Sequence, residues 1–179
     1  MRRLLSKWFA WASLGLVTSG LAGQILVVNQ CPYSIYLKSV QDVESGLYVL
    51  SENGRFAQDY QFKTRIVDSV EVAVGVSVKI AKSPQLFPQT QFEYTYDPRL
   101  APQFDLYYDI SNVNDTIPWQ FSDYGLCVLP SSCACTPIVC PPQNLTCSMA
   151  YNQPFDDWAT HGCYSNINLT LNLCYSRAQ

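Results

Sequence analysis

The stretch that decides the fold is Val70-Glu71-Val72-Ala73-Val74-Gly75-Val76-Ser77-Val78-Lys79-Ile80-Ala81-Lys82. Its valines and isoleucine recur at every second position from 72 to 80, with small or polar residues between them. Strict alternation of this kind is typical of a β-strand that buries one face. We therefore predict a half-buried strand over residues 70–82, with Lys79 on the face away from the core.

Similar patterns occur on both sides of this stretch. Short apolar runs at 25–28 and 33–37 flank a turn, and alternating runs cover 91–96, 105–111 and 165–174. Proline residues separate several of these runs, as they commonly do between strands. We predict an all-β domain over residues 24–179, with its β core formed by 24–122 and 163–179. Residues 123–162 show little periodicity and are predicted to form a small, loop-rich, disulfide-held lobe, with a short helix near residues 154–159.

The first 23 residues have the pattern of a secretory signal peptide. Arg2, Arg3 and Lys7 precede a short apolar stretch, and small residues stand at Gly20 and Ala22. The apolar stretch is shorter than the roughly 20 residues of a membrane-spanning helix. We predict cleavage after Ala22 or Gly23 and a secreted, extracellular or cell-wall-associated protein.

The cysteines support an oxidising compartment, because all eight follow the predicted signal peptide. They are Cys31, Cys127, Cys133, Cys135, Cys140, Cys147, Cys163 and Cys174. All eight are predicted to form disulfides, rather than a metal site around Cys133 and Cys135. Cys31 and Cys174 lie near the two ends and are predicted to pair, which leaves 15 pairings for the other six. Asn114, Asn144 and Asn168 begin Asn-x-Thr sequons and are predicted glycosylation sites.

The charge of the chain restricts its partners. The full chain has 11 Lys+Arg and 14 Asp+Glu; without the three basic residues of the signal peptide the counts are 8 and 14, a net charge of −6. A negative surface does not attract nucleic acid or anionic membranes. We expect neither nucleic-acid binding nor membrane insertion, and we predict a monomer without cofactor or metal.

Several segments together resemble the thaumatin-like proteins. They are Ile25-Leu26-Val27-Val28-Asn29-Gln30-Cys31-Pro32-Tyr33-Ser34-Ile35-Tyr36, Phe92-Glu93-Tyr94, Tyr107-Tyr108-Asp109-Ile110-Ser111-Asn112-Val113 and Leu169-Thr170-Leu171-Asn172-Leu173-Cys174. The likeness is greatest to the small fungal secreted proteins of the Blastomyces yeast-phase-specific family. It implies a flattened β-sandwich beside a small disulfide-rich lobe, with an acidic cleft that is associated with β-1,3-glucan binding and sometimes hydrolysis.

The resemblance also implies site residues. Glu93 and Asp109 match two acids of the family cleft, whereas Leu106 stands where another acid is usual and Asp105 is its neighbour. Lys79 or Lys82 stands near the family's arginine, and a lysine cannot make the same two-pronged contact. A last acid would fall in the Cys-rich lobe, where Asp156 and Asp157 are candidates.

The strand pattern tests this site independently of the resemblance. If the apolar residues of 92–96 and 106–110 face the core, then Glu93, Asp105, Tyr107 and Asp109 face outwards, as Lys79 does. These five residues are the predicted ligand-binding set. Carboxyl pairs about 5–9.5 Å apart serve glycoside cleavage, whereas charges on an outward strand face are otherwise simply solvated. Four aromatic residues, Tyr107, Trp119, Phe121 and Tyr124, are candidates for stacking on sugar rings, but packing in the core or at an interface is the more common reason for such residues.

Three functions remain open from the sequence. The leading one is binding of cell-wall or surface polysaccharide, such as β-glucan, without turnover. The second is a weak endo-β-1,3-glucanase in which Glu93 donates the proton and Asp109 acts as base or nucleophile. The third is a secreted effector or antimicrobial protein that acts on a host or cell-surface protein. His161 is the single histidine, and we interpret it as a loop residue rather than part of a catalytic triad.

Overall fold

The computed structural model describes residues 22–178. The predicted signal peptide, apart from its last two residues, lies outside this part of the chain. Among the described residues no helix is long and apolar enough to cross a membrane. The described chain is built almost entirely from strands and the turns that join them.

Thirteen strands and three short 3-10 helices follow one another within residues 22–178. They are β1 (Gln24–Asn29), β2 (Ile35–Val40), β3 (Tyr48–Leu50), β4 (Arg55–Asp59), β5 (Thr64–Val67), β6 (Val70–Ala73), β7 (Val76–Ala81), β8 (Thr90–Tyr96), η1 (Pro98–Leu100), β9 (Leu106–Ser111), β10 (Leu126–Pro130), β11 (Ile138–Cys140), η2 (Asp157–Ala159), β12 (His161–Cys163), β13 (Leu169–Leu173) and η3 (Tyr175–Ala178).

Two large sheets and one hairpin contain these strands. Within the described residues, one sheet has the order β11-β10-β13-β1-β4, the other has the order β12-β9-β8-β7-β2-β3, and β5 pairs with β6 alone. Alternate residues of both large sheets are buried in one apolar core, for example Val27 and Leu171 from the first sheet and Val78 and Phe92 from the second. The predicted all-β sandwich is therefore confirmed.

The two ends of the domain lie side by side. Strand β1 pairs in parallel with β13, with Ile25 opposite Leu169 and Asn29 opposite Leu173. The disulfide Cys31–Cys174 follows directly after both strands and joins residues 143 positions apart, as predicted. Closing so long a loop stabilises the fold by roughly 5 kcal/mol in the chain-entropy description.

The stretch 70–82 is not one strand, and this prediction was wrong in its first third. Val76, Val78 and Ile80 face the core as expected, but Val70–Ala73 turns away to pair with β5. The break falls at Gly75, where a Cβ atom would lie 2.9 Å from Thr95 Oγ1. A glycine at a close approach commonly marks such a bend in a strand.

The Cys-rich segment contributes more regular structure than the sequence indicated. Strands β10 and β11 lie within it and extend the five-stranded sheet beyond β13. Leu126, Val128 and Ile138 are fully buried in the core. Because β10 lies between two neighbours and is apolar on consecutive positions, it lacks the alternation by which an outer strand is recognised. The short helix predicted near 154–159 corresponds to η2.

Six cysteines form disulfides within the described chain, and two do not. Besides Cys31–Cys174, the pairs are Cys135–Cys163 and Cys140–Cys147. Cys127 is buried and Cys133 is exposed, and neither is bonded to another described cysteine. On β10, Cys127 lies opposite Val139 and Asn172, so neither adjacent strand offers it a sulfur. The prediction that all eight are paired was wrong for these two.

Candidate functional site

An open cleft of about 420 Å³ lies on the outer face of the six-stranded sheet. Its walls include Ser77, Glu93, Thr95, Tyr107, Asp109 and Thr160. The first five come from β7, β8 and β9, and Thr160 comes from the turn between η2 and β12. We call this feature the acidic cleft.

The register of the sheet brings the two acids of the cleft together. Glu93 on β8 lies directly opposite Asp109 on β9 and, on its other side, opposite Ser77 on β7. Thr95 lies opposite Tyr107 one step further along the same face. Residues directly opposite each other on antiparallel strands have Cβ atoms about 4.5–5.5 Å apart. The sequence thus correctly placed Glu93, Tyr107 and Asp109 on one outward face.

Asp109 is held in an unusual electrostatic state. Its Oδ1 atom is buried and has no hydrogen-bond partner among residues 22–178. Burial, together with the negative charge of Glu93, raises the pKa of Asp109 to about 8. A carboxyl group without compensating donors keeps its proton because the charged form would be poorly solvated. Asp109 is therefore protonated at neutral pH.

The pKa of Glu93 is shifted in the same direction, but two contacts oppose the shift. Burial raises its pKa, but a hydrogen bond with Ser77 and the positive charge of Lys79 act against this shift. Because the negative charge of Glu93 is one cause of the raised pKa of Asp109, Glu93 loses its proton first and Asp109 keeps the proton of the pair. The acidic cleft presents one carboxylate acceptor and one protonated carboxyl donor on neighbouring strands.

The two basic candidates lie outside the walls of the cleft. Lys79 is half-buried on β7 and acts on Glu93 through its charge. Lys82 lies 3.9 Å from the carboxylate of Asp123 and 5.0 Å from the centre of the Tyr33 ring. Lys79 is therefore a neighbour of the acidic pair, and Lys82 belongs to another surface.

Asp105 does not join the other acids, although the alternation predicted that it would. It precedes β9 and is buried, with its Oδ1 and Oδ2 accepting hydrogen bonds from the backbone N–H and the hydroxyl of Ser165, both at 2.7 Å. These contacts turn the carboxylate towards the chain that leads into β13. The prediction that Asp105 belongs to the ligand-binding face was wrong. Both of its carboxylate oxygens accept hydrogen bonds from Ser165, and it does not line the cleft.

The acids proposed for the Cys-rich segment have local roles. Asp156 accepts hydrogen bonds from the backbone N–H groups of Asn152 and Gln153. The Tyr151 hydroxyl contacts the Asp157 carboxylate at 3.2 Å and the Thr160 hydroxyl at 2.8 Å. Asp157 therefore helps to hold Thr160 at the edge of the cleft rather than lining it.

The aromatic candidates separate by burial. Trp119 and Phe121 are buried in the core, so of the two explanations offered for them packing is confirmed and stacking on a ligand is not. Tyr107 is 38% exposed and lines the cleft, while Tyr124 is half-buried outside its walls. The asparagines of all three sequons are exposed, and their glycosylation remains a prediction.

Sequence reasoning missed four polar residues of the cleft. Ser77 and Thr95 were detectable, because they alternate with buried residues on β7 and β8 as Glu93 does. Gln41 follows β2 and Thr160 precedes β12. Neither lies within a strand, so no alternation indicates where its side chain points. His161 lies in β12 rather than in a loop. Among the described residues no cluster of three or more His, Cys, Asp or Glu side chains is arranged to hold a metal ion.

Comparison with known proteins assigns the chain to a family. Residues 14–175 match the family model described as Blastomyces yeast-phase-specific protein. The chain is therefore a member of that family, as its sequence predicted.

Named relatives extend this assignment. The chain is 33% identical over 168 residues to the antigenic thaumatin-like protein of Arthroderma benhamiae, an alignment covering 91% of this chain and 78% of the relative. It is 26% identical over 153 residues to the secreted thaumatin-like protein calA of Emericella nidulans, covering 86% and 82%. These relatives support the predicted thaumatin-like, secreted, fungal type of protein.

A solved structure has a similar fold. The protein elicitor MoHrip2 from Magnaporthe oryzae superposes with a TM-score of 0.65 at 24% identity, covering 86% of this chain and 99% of the elicitor. At this identity the likeness concerns the fold. It is consistent with the two-sheet architecture described above.

Proposed function

We propose that this protein binds a neutral polysaccharide of a cell wall or cell surface, such as β-glucan, in the acidic cleft without cleaving it. The single observation that carries the proposal is the buried Oδ1 of Asp109, which has no hydrogen-bond partner among residues 22–178. An unpartnered buried polar atom costs free energy, and a ligand hydroxyl at that position would recover it.

The protonation of the acidic pair suits a ligand rich in hydroxyl groups. A protonated Asp109 can donate a hydrogen bond, whereas an ionised Glu93 can accept one from a sugar hydroxyl. Ser77, Thr95 and Thr160 add hydroxyl groups that both donate and accept. A wall of alternating donors and acceptors matches the hydroxyls of a neutral saccharide better than it matches a charged ligand.

Tyr107 supplies the apolar part of the proposed site. It is exposed enough to offer its ring at the cleft, and Thr95 lies opposite it across the β8–β9 pair. Aromatic rings provide a flat apolar contact while a polar tip stays hydrated. A sugar ring packed on Tyr107 would bring its hydroxyl groups towards the acidic pair.

Hydrolysis is the second candidate, and the raised pKa of Asp109 is the observation that favours it. A glycosidase needs one protonated and one ionised carboxyl group. The electrostatics favour Asp109 as proton donor and Glu93 as nucleophile or base, which reverses the roles that the sequence assigned.

A pull-down with an activity assay in the same tubes separates these functions. The oxidised mature protein is mixed with insoluble β-1,3-glucan, chitin or cellulose, and depletion and released reducing sugar are measured. We expect depletion on glucan without sugar release. Glu93→Gln should weaken glucan binding about tenfold, because a charge-assisted hydrogen bond is lost, whereas Glu52→Gln at an exposed position should not.

The other outcomes each select a different function. Sugar release that Asp109→Asn and Glu93→Gln both abolish would identify a glycosidase. Neither depletion nor release on any of the three polymers would contradict both carbohydrate functions. The remaining function would then be that of a secreted effector or antimicrobial protein with a protein partner.

A further inference from the structure

A second cavity lies beside the acidic cleft, at the open edge of the sandwich. Its volume is about 270 Å³, and its walls include Ser39, Gln41, Tyr48, Phe56, Gln58 and Lys63. It lies where β3 ends the six-stranded sheet and β4 ends the five-stranded sheet. We call it the edge cavity.

Gln41 joins the edge cavity to the acidic cleft, because its side chain lines both. Its Nε2 donates a hydrogen bond to the carbonyl of Val74 at 3.0 Å, which fixes the orientation of the amide. Its Oε1 is buried and accepts no hydrogen bond from the described residues. The junction of the two cavities therefore carries a fixed acceptor without a donor.

Gln58 provides a second acceptor of the same kind. On β4 the side chains of Phe56 and Gln58 alternate with exposed neighbours and turn into the cavity. The Oε1 of Gln58 is also buried without a partner in the part of the chain that the structure describes. Two unpartnered amide oxygens in one connected region indicate a ligand that brings hydrogen-bond donors.

The charges around the edge cavity compensate one another. Glu44, one of its lining residues, lies 3.2 Å from Lys38. Lys63 lies 3.5 Å from Asp42. Since each lining charge has an opposite neighbour, the edge cavity favours a neutral ligand over an ionic one.

An aromatic pair completes the edge cavity. The rings of Tyr48 and Phe56 are 4.9 Å apart between centres and tilted by 57°. Tyr48 is 43% exposed, so it can take a further contact on its ring. The edge cavity thus combines hydrogen-bond acceptors with an exposed aromatic ring, and the acidic cleft also has an exposed aromatic ring, Tyr107, beside polar groups.

We infer that the edge cavity is a second saccharide subsite, connected to the acidic cleft through Gln41, so that the protein recognises an extended neutral oligosaccharide lying across both. This inference rests on the proposed function, because it takes the occupant of the acidic cleft to be a saccharide. It adds that the protein distinguishes internal stretches of a polymer from short fragments.

Calorimetric titration of the oxidised mature protein with a disaccharide and a hexasaccharide of β-1,3-linked glucose tests the inference. Wild type should bind the hexasaccharide about tenfold more tightly. Gln58→Met keeps the side-chain length and removes the acceptor, so it should weaken hexasaccharide binding about threefold to tenfold and leave disaccharide binding unchanged. Glu93→Gln should weaken binding of both ligands.

Matched variants exclude indirect effects. Gln153→Met alters an exposed glutamine that lines neither cavity. This variant should bind both oligosaccharides as wild type does. Tyr48→Ala should reduce hexasaccharide affinity, whereas Tyr164→Ala, at a tyrosine of the same 43% exposure, should not.

The results separate failure of the inference from failure of the proposed function. If Glu93→Gln weakens both ligands while Gln58→Met and Tyr48→Ala weaken neither, the edge cavity is not a subsite and the acidic cleft keeps its function. If wild type binds neither oligosaccharide, the proposed function fails and the inference fails with it.

Discussion

Asp105 and Asp109 lie in one short stretch of chain and show how differently the same side chain can be used. Asp105 is surrounded by donors from Ser165. Asp109 has a buried oxygen without a donor among residues 22–178 and a pKa of about 8. The first arrangement stabilises the fold, whereas the second is the one on which the proposed ligand site rests. Hydrogen-bond satisfaction, rather than burial alone, distinguishes the two roles.

The largest expected effect comes from removing the hydrogen-bonded carboxylate of Asp105. Asp105→Ala removes both hydrogen bonds to Ser165 and leaves two donors without an acceptor, so it should lower the free energy of unfolding by about 2–4 kcal/mol. Denaturant unfolding with the disulfides intact measures this change. Asp123→Ala, at an exposed aspartate, should change stability by less than about 0.5 kcal/mol. Equal effects of the two substitutions would contradict the structural role of Asp105.

A smaller effect is expected at Asp109, and its size depends on pH. The folded protein holds this proton up to about pH 8, whereas the unfolded chain releases it near pH 4. The protonated Asp109 therefore makes its full contribution to the free energy of unfolding below about pH 4. As the pH rises towards 8, this contribution decreases by up to about 1.4 kcal/mol per pH unit.

Asp109→Asn should therefore flatten the fall of stability across that window and make the protein about 1–3 kcal/mol more stable than wild type at pH 8. Thermal or denaturant unfolding at several pH values checks this. The slope that remains should come from Glu93, whose pKa is also raised by burial. Parallel curves for variant and wild type would show that Asp109 is ionised in the folded protein.

The smallest effect is expected at Lys79. Its charge lowers the pKa of Glu93, so Lys79→Gln should raise that pKa and bring the two acids of the cleft closer in their titration. Observation of the Glu93 carboxyl carbon by NMR through a pH titration measures the shift. Lys38→Gln, at the lysine opposite Lys79 in the sheet, should move Glu93 less. A larger shift of the Glu93 pKa in Lys38→Gln than in Lys79→Gln would contradict the role given to Lys79.

Local patterns predicted much of the sheet and part of the cleft. The alternation in β7, β8 and β9 was sufficient to place Glu93, Tyr107 and Asp109 outwards, because each strand lies in one sheet with one buried face. It failed at Asp105, whose partner Ser165 is 60 residues away. It also failed at Val70–Ala73, where pairing with β5 overrides a continuous pattern. A contact with a distant residue decides the position of Asp105, and a hairpin with the preceding strand decides that of Val70–Ala73. The alternation of apolar residues indicates neither pairing.

The position of β13 has a consequence for how the protein is made. This last strand lies between β10 and β1, in the middle of its sheet. During synthesis the chain emerges from its N-terminus, so β1 must wait for nearly the whole polypeptide before its parallel neighbour exists. Sheets dominated by such distant pairings fold slowly and expose unpaired edges meanwhile. Loss of β13 would therefore open the centre of the domain rather than trim its surface.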